Sequence, residues 1–107
     1  MAAYIRRCNI EGAFAVVRRR GAEEAGAIFV KISRLDGTAA LFGPAPQTAF
    51  EGARPNEHLF VASFKQDFVA DPEVETRIGR ELKFDPDVWL LEVEDRAGRN
   101  FLNLAAA

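Results

Sequence analysis

Residues 27–43 constrain the fold more than any other part of the chain, because they have the pattern of two strands joined by a tight turn. The sequence AIFVKISRLDGTAALFG carries apolar residues at alternating positions on both sides of Asp36 and Gly37. An Asp-Gly pair at such a place favours a two-residue type I′ turn. That turn would bring Ile32 opposite Leu41 in an antiparallel pair. We therefore predict a β-hairpin whose core face carries Ile28, Val30, Ile32 and Leu41.

The first twenty residues are expected to contain one helix and one strand. Helical spacing of apolar residues favours a helix near 3–11, which Gly12 is placed to end. Alternation then favours a strand near 13–20 in which Phe14 and Val16 share a face, and we expect this strand to pair with the hairpin. A single helix continuing through Val17 is the alternative, at a cost of about 1 kcal/mol for the internal glycine.

The second half of the chain is expected to add one longer helix and three strands. Asp71 followed by Pro72 is typical of a helix start, since aspartate can cap the helix and proline is tolerated in its first turn. Strands joined by short turns, with helices near both ends, indicate one α+β domain over residues 1–107 with a mainly antiparallel sheet. Beyond the hairpin, the predicted elements are strands near 13–20, 59–64, 88–94 and 100–104, with helices near 3–11 and 72–83; the inner stripe of the second helix is Val74, Ile78 and Leu82.

The composition is that of a globular chain that folds without disulfides. Hydrophobic residues make up 49% and charged residues 28% of the chain, which excludes the class of disordered proteins. Cys8 is the only cysteine, so no disulfide can form within the chain, and this suits a reducing compartment. No apolar stretch has the length of a signal peptide core or a bilayer span. We therefore predict a soluble, cytoplasmic protein.

Charge is distributed unevenly along the chain. Five arginines against Glu11 give residues 1–20 a net charge of +4, whereas the whole chain carries −2. An excess of positive charge favours an anionic partner, and two solvated surface segments have the same pattern. The acidic isoelectric point argues against nucleic acid. The candidate binding residues in this region are Arg6, Arg7, Arg18 and Arg20.

A second candidate surface is the hairpin face opposite the predicted core face. In the predicted register, Phe29 and Phe42 fall on that face together with Lys31. Two phenylalanines there require a cover, which either a helix or another subunit would provide. Phe29, Lys31 and Phe42 are therefore candidate binding residues.

No pattern in the chain is typical of a catalytic or cofactor site. Glu92, Glu94 and Asp95 place three carboxylates at one strand end, where two of them would be able to hold a divalent cation or act as an acid and a base. Solvated acids with nearby arginines give the same pattern. His58 and Cys8 lack the flanking residues of a nucleophilic site. We identify no catalytic residue, metal ligand or cofactor, and a small enzyme or metal-binding protein that uses the three acids is the alternative function.

Several short sequence motifs resemble those of one known family. In chain order, the motifs are Arg6-Arg7, Gly21 with Ala25-Gly26, Leu35-Asp36-Gly37, Leu41 with Gly43-Pro44, Asp85-Pro86-Asp87 with Trp89, and Glu92 with Glu94-Asp95-Arg96. Together they resemble the family known as domain of unknown function 1491, small uncharacterised proteins of alphaproteobacteria. The resemblance implies a stand-alone cytoplasmic bacterial protein, and it supplies no substrate, cofactor or catalytic residue.

The sequence thus favours a binding protein over an enzyme. The features that favour binding are the uneven charge, the spare aromatic residues and the edge of the hairpin. We predict that the partner is another protein or a second copy, bound through a sheet face or edge and the arginine-rich N-terminal region.

Overall fold

The computed structural model describes residues 2–23, 27–45 and 59–105, and His58 lies outside these ranges. The described residues form two helices and a mostly antiparallel six-stranded sheet, which confirms the predicted α+β class. Neither helix is long and apolar enough to span a membrane. In chain order the elements are α1 (Ala2–Ile10), β1 (Phe14–Arg19), β2 (Ile28–Ser33), β3 (Thr38–Pro44), β4 (Phe60–Ala62), β5 (Val69–Ala70), α2 (Asp71–Phe84) and β6 (Trp89–Glu94).

Strand β6 lies in the interior of the sheet although it is the last strand in the chain. The strand order is β1-β6-β2-β3-β4, and the short strand β5 pairs with β3 as well. β6 is antiparallel to β1 and parallel to β2. The expectation that the first strand pairs with the hairpin is therefore wrong, because β6 occupies the position between them. β5 escaped prediction because it has only two residues.

The β2–β3 hairpin exists, but its register differs by one residue from the predicted one. Ile32 pairs with Ala40 rather than Leu41, and the loop has three residues instead of two. Leu35 and Gly37 both adopt positive φ, and the Asp36 carboxylate accepts a hydrogen bond from the Thr38 backbone N–H at 2.9 Å. A slip of one residue exchanges the two faces of a strand. The predicted core face is therefore wrong for β3: Leu41 lies on the opposite face from Ile28, Val30 and Ile32, and Phe42 takes its place.

Helix α1 ends where Gly12 was expected to end it. Gly12 has a φ of +91°, and its N–H donates to the carbonyl of Asn9. The N–H of Ala13 donates to the carbonyl of Cys8, which completes the Schellman pattern of hydrogen bonds. The chain can then leave the helix and enter β1, so the alternative of one helix through Val17 is excluded.

Each face of the sheet packs against one helix. Val30 and Ile32 face α1 and pack with the fully buried Cys8, whereas the alternate residues of β2 face α2. Full burial of an aliphatic side chain of this size contributes about 1.5–3 kcal/mol. Helix α2 begins at Asp71, one residue before the predicted start, and the expected cap by Asp71 is wrong. Ala70 is the N-cap residue, no side chain caps the helix, and Asp71 pairs with Lys31 instead. The core on the α2 side consists of Phe29, Ala39, Leu41, Phe64, Val69, Leu90 and the predicted stripe of Val74, Ile78 and Leu82.

The predicted strand over 100–104 is wrong. The chain does turn after β6, where the N–H of Gly98 donates to the carbonyl of Asp95. The following residues do not return along β6, because Phe101 adopts a positive φ of 56° that breaks an extended conformation. The segment 100–103 instead crosses the α1 side of the sheet, where Asn103 accepts a hydrogen bond from the N–H of Phe60, and Leu104 forms only an isolated parallel bridge with that residue.

Candidate binding surface

Five charged side chains join α2 to the sheet, and we call them the ion-pair cluster. Lys31 is only 4% exposed, and its ammonium nitrogen lies 2.6 Å from a carboxylate oxygen of Asp71 and 2.5 Å from one of Glu75. The guanidinium of Arg18 lies 2.5 Å from Glu75 and 3.0 Å from Glu92. A buried ammonium needs such partners, because an unpaired charge in this position is strongly unfavourable. The cluster consists of Arg18, Lys31, Asp71, Glu75 and Glu92.

The pKa values of the cluster show that its members stabilise one another in their charged forms. Hydrogen bonds from Arg18 and Lys31 lower the pKa of Glu75 from its ordinary value of 4.5 to about 2, against the opposing effect of partial burial. Burial lowers the pKa of Lys31, but its hydrogen bonds to Asp71 and Glu75 outweigh this and leave it above its ordinary value. The hydrogen bond to Glu75 likewise raises the pKa of Arg18. At neutral pH the cluster therefore acts as a structural clamp between α2, β1, β2 and β6.

The candidate arginines do not form one patch. Arg6 and Arg7 lie on α1, whereas Arg18 belongs to the ion-pair cluster on the opposite face of the sheet. Arg20 follows β1, and its guanidinium carbon lies 5.7 Å from the centre of the Trp89 ring. These residues are thus divided between both sides of the sheet, and Arg18 has a structural role that accounts for its position.

The three hairpin candidates are also separated. Phe29 and Lys31 face α2, so a helix and not another subunit covers them. Phe42 is mostly buried on the α1 side of the sheet. The Phe29 ring lies so close to Gly43 that a Cβ there would be 2.6 Å from a ring carbon. The prediction of one surface with Phe29, Lys31 and Phe42 in line is therefore wrong, because the register slip moves Phe42 to the other face.

The three acids at the end of β6, Glu92, Glu94 and Asp95, do not form one site. Arg99 donates to both carboxylate oxygens of Asp95, at 2.8 and 3.1 Å, and these hydrogen bonds lower the pKa of Asp95. Glu92 belongs to the ion-pair cluster, and its neighbour on the same strand face is Glu94. Within the described residues no three acids, histidines or cysteines come together as a possible metal site. The arrangement does not favour the alternative function over binding.

A part of the sheet beside α2 is left uncovered, and we call it the open face. Phe14 pairs with Glu94 and Val16 with Glu92, so these side chains share the face on which α2 packs. Phe14 is 58% exposed and Val16 is 40% exposed, because α2 packs mainly over β3 and β5 and reaches β1 only through Arg18 and Glu75 among the contacts described. The ion-pair cluster borders this area on the side of α2. The open face consists of Phe14, Val16, Glu94 and Ser33, which pairs with Glu94 from β2.

The free edge of β1 is less accessible than its face. Asn9 of α1 accepts a hydrogen bond from the backbone N–H of Ala15 through its side-chain oxygen, at 3.2 Å. The pairing of β1 with β6 is irregular between Val17 and Arg19, as in a β-bulge. Bulges and charged side chains are two ways in which proteins prevent strand addition at a sheet edge. The edge of β1 is therefore protected where its face is not.

The sequence missed the open face for a definite reason. Alternation indicated that Phe14 and Val16 share one side of a strand, and they do. Whether that side is covered depends on where α2 packs, and the sequence does not specify this. A position at the sheet margin, beyond the width of a single helix, is the signal that identifies such a surface.

These observations define a class: a small α+β protein with a mixed sheet, one helix on each face and no assembled catalytic group among the described residues. A family model described as "Protein of unknown function (DUF1491)" matches residues 1–103. The chain belongs to this DUF1491 family. The resemblance seen in the sequence is thereby confirmed.

Solved structures of relatives support the family and the fold. A DUF1491 family protein from Caulobacter crescentus, solved by crystallography, is 36% identical, with a TM-score of 0.76 over 98% of this chain and 91% of that one. Protein Atu0922 from A. tumefaciens, solved in solution, is also 36% identical, with a TM-score of 0.80 over 99% of this chain and 90% of that one. No curated protein matches the chain. The comparisons therefore assign a family and leave the activity open.

Proposed function

We propose that this chain is a cytoplasmic protein that acts as one domain and binds a protein partner, or a second copy of itself, through the open face. The observation that carries the proposal is the exposure of Phe14 and Val16 side by side on a sheet face whose other half is covered by α2. Adjacent exposed apolar side chains with polar neighbours are typical of protein interaction sites. The buried, unpaired thiol of Cys8 supports a reducing compartment.

The charges around the open face indicate what the partner presents. Glu94 lies directly beside Phe14, and the ion-pair cluster contains three carboxylates against two cations. The surface around the two apolar residues is thus net negative. A helix packed alongside α2 would fit this shape if it carried apolar residues toward the sheet and a lysine or arginine toward Glu94.

The arginine-rich region has a supporting part in this proposal. Arg18 pairs with Glu75 and Glu92 at the border of the open face, so it fixes the position of α2 beside that face and does not itself contact the partner in this proposal. Arg6, Arg7 and Arg20 lie elsewhere, and we do not place them in this contact. A nucleic-acid partner is not favoured, because the exposed apolar pair lies in an acidic neighbourhood.

The test is a double variant, Phe14→Ser with Val16→Ser, compared with Phe84→Ser. Phe84 is 91% exposed at the end of α2, away from the open face, so its replacement is a matched control for the loss of apolar surface. Sedimentation velocity at micromolar concentration distinguishes a second copy from another partner. A self-associating wild type should become monomeric in the double variant and stay associated in the control.

If the wild type is monomeric, quantitative affinity capture from cell extract gives the second readout. We expect the wild type and Phe84→Ser to capture the same partner protein. The captured amount of that protein should fall at least tenfold with the double variant. A monomeric wild type with no protein that depends on Phe14 and Val16 would refute the proposal. Near-identical circular dichroism spectra of the variants are needed to show that each of them is folded.

A further inference from the structure

A cavity lies on the other side of the sheet from the open face, between β2, β6, α1 and the segment 100–103. Its volume is about 140 Å³. Side chains from five separate parts of the chain, β4 included, line it, so it is a feature of the folded domain. The principal lining residues are Tyr4, Val30, Phe60, Leu91, Phe101 and Leu102.

The lining is apolar and rich in aromatic rings. Tyr4, Phe60 and Phe101 contribute three rings, and none of the described residues that line the cavity is charged. An apolar cavity of this size is large enough for a single ring: a cavity of about 150 Å³ in another protein stays dry and takes up benzene. Aromatic walls favour an aromatic guest, because edge-to-face contacts add to the gain from burial.

Two polar groups lie within reach of a substituent on such a ring. The hydroxyl of Tyr4 donates to the carbonyl of Asn100 at 2.6 Å and also interacts with the thiol of Cys8, and a phenolic oxygen can accept a further hydrogen bond from a guest. Asn103 also lines the cavity and is exposed. Burial raises the pKa of Tyr4 above its ordinary value, so the phenol stays neutral and presents no negative charge.

The wall formed by residues 100–103 is held by specific contacts. Besides the Tyr4 hydrogen bond, the N–H of Leu102 donates to the side chain of Asn100 at 2.9 Å, and Asn103 accepts from the N–H of Phe60 at 2.9 Å. Phe101 is held at positive φ within this segment. The cavity is therefore preformed, and a guest does not have to order its own site.

We propose that this cavity is a binding site for a neutral, monocyclic aromatic molecule with at most one small polar substituent. A ring that carries a carboxylate is disfavoured, because the carboxylate would lose its hydration and none of the described lining residues is charged. The guanidinium groups of Arg7 and Arg99 lie 5.9 and 5.0 Å from the centre of the Phe101 ring, and neither arginine is among the lining residues. The site uses none of the residues of the open face, so the two proposals can fail separately.

The test is a titration of the ¹⁵N-labelled protein with phenol, toluene and benzoate, followed by NMR. Phenol and toluene should shift the amide signals of Tyr4, Phe60 and Phe101, with a Kd of about 1 mM or below for a ligand of seven heavy atoms. Benzoate should bind at least tenfold more weakly. Equal binding of benzoate, or shifts confined to other residues, would overturn the proposal.

A filled cavity provides the matched comparison. Leu102→Trp places a large side chain in the lining, whereas Leu104→Trp makes the same change at a half-exposed position outside it. Phenol binding should weaken at least tenfold in the first variant and stay within twofold of wild type in the second. If Leu102→Trp does not fold, Ile28→Phe is the alternative variant, because Ile28 lines the same cavity from another wall. A folded lining variant that binds phenol as the wild type does would also refute the site.

Discussion

Glu75 is the residue of the ion-pair cluster whose replacement tests the electrostatic argument most directly. It is the only member that contacts both cations, through Arg18 at 2.5 Å and Lys31 at 2.5 Å. We expect Glu75→Gln to destabilise the protein at pH 7, because both cations lose a charged partner. Neither is left alone, since Arg18 keeps Glu92 and Lys31 keeps Asp71.

The magnitude follows from the pKa of Glu75. Its fall from 4.5 to about 2 corresponds to about 3.4 kcal/mol at 1.36 kcal/mol per pKa unit. About a third of the side chain is exposed, so solvent screening reduces the realised value, and we expect a loss of about 1.5 kcal/mol at pH 7. A loss of that size lowers the Tm of a domain of this length by about 6 °C.

The pH dependence has a definite sign. The pKa of Glu75 is lower in the folded than in the unfolded state, so its stabilisation is fully present above pH 4.5 and is lost as the pH falls toward about 2. The difference between wild type and Glu75→Gln should therefore be constant from pH 7 to pH 5 and shrink steadily below pH 4.5.

The assay is urea unfolding at pH 7, 5, 4 and 3, followed by the fluorescence of the single tryptophan. Glu73→Gln is the control, because it removes the same charge from the exposed side of α2. The control should change the free energy of unfolding by less than about 0.5 kcal/mol. If Glu75→Gln costs no more than the control, or if its cost does not change between pH 7 and pH 3, the cluster does not clamp α2 in the way described.

Four further predictions concern two glycines, the cysteine and the buried lysine. Gly79→Ala should stabilise the protein by about 0.5–1 kcal/mol in urea unfolding. The position is helical, and beyond the backbone of α2 itself no atom of the described residues lies within 4 Å of a Cβ built there. Gly21→Ala should destabilise it by about 2–3 kcal/mol, because its Cβ would collide with the backbone oxygen of Asp87, and an equal effect of the two alanines would contradict the packing. The Cys8 thiol is fully buried and burial raises its pKa, so it should react with a thiol reagent only as fast as the protein unfolds, and rapid labelling of the folded state would disprove this. Lys31→Met should lower the free energy of unfolding by about 1–2 kcal/mol, measured by thermal unfolding, rather than by the roughly 3–5 kcal/mol of a broken buried ion pair. The reason is that its partners Asp71 and Glu75 are about a third exposed, so water can hydrate their carboxylates. A larger loss of stability would show that these carboxylates are not hydrated.

The elements that the sequence predicted well are those with a strong local cause. Gly12 ends α1 because positive φ there closes the helix through local hydrogen bonds, and the four-residue spacing of Val74 and Ile78 gives α2 a single buried stripe. Such features depend on residues close together in the chain. They can be derived without knowledge of the rest of the fold.

The features that the sequence did not predict depend on single residues or on distant strands. In the hairpin, one additional loop residue was enough to exchange the faces of Leu41 and Phe42, and the local pattern favoured the shorter Asp-Gly turn. The segment 100–103 has strand-like composition, but its path is set by contacts with Tyr4 and Phe60. Both cases are tertiary effects that override local preference.

The candidate sites show the same division. The sequence identified Arg18 and Lys31 as notable residues, but as parts of two separate surfaces. Only the folded arrangement brings both to Glu75. The open face and the cavity required knowledge of which helix covers which strands, and no short pattern in the chain encodes that information.

The interior position of β6 has a consequence for how the chain assembles. β1 and β2 are made early, yet neither pairs with the other, and the strand that joins them is the last to be synthesised. Contacts between distant parts of a chain slow folding, because loop-closure entropy is lost before the contacts form. The sheet therefore cannot close until β6, which follows the other described strands in the chain, has left the ribosome. A deletion of Trp89–Glu94 would remove this interior strand, and would leave β1 and β2 without the partner that connects them.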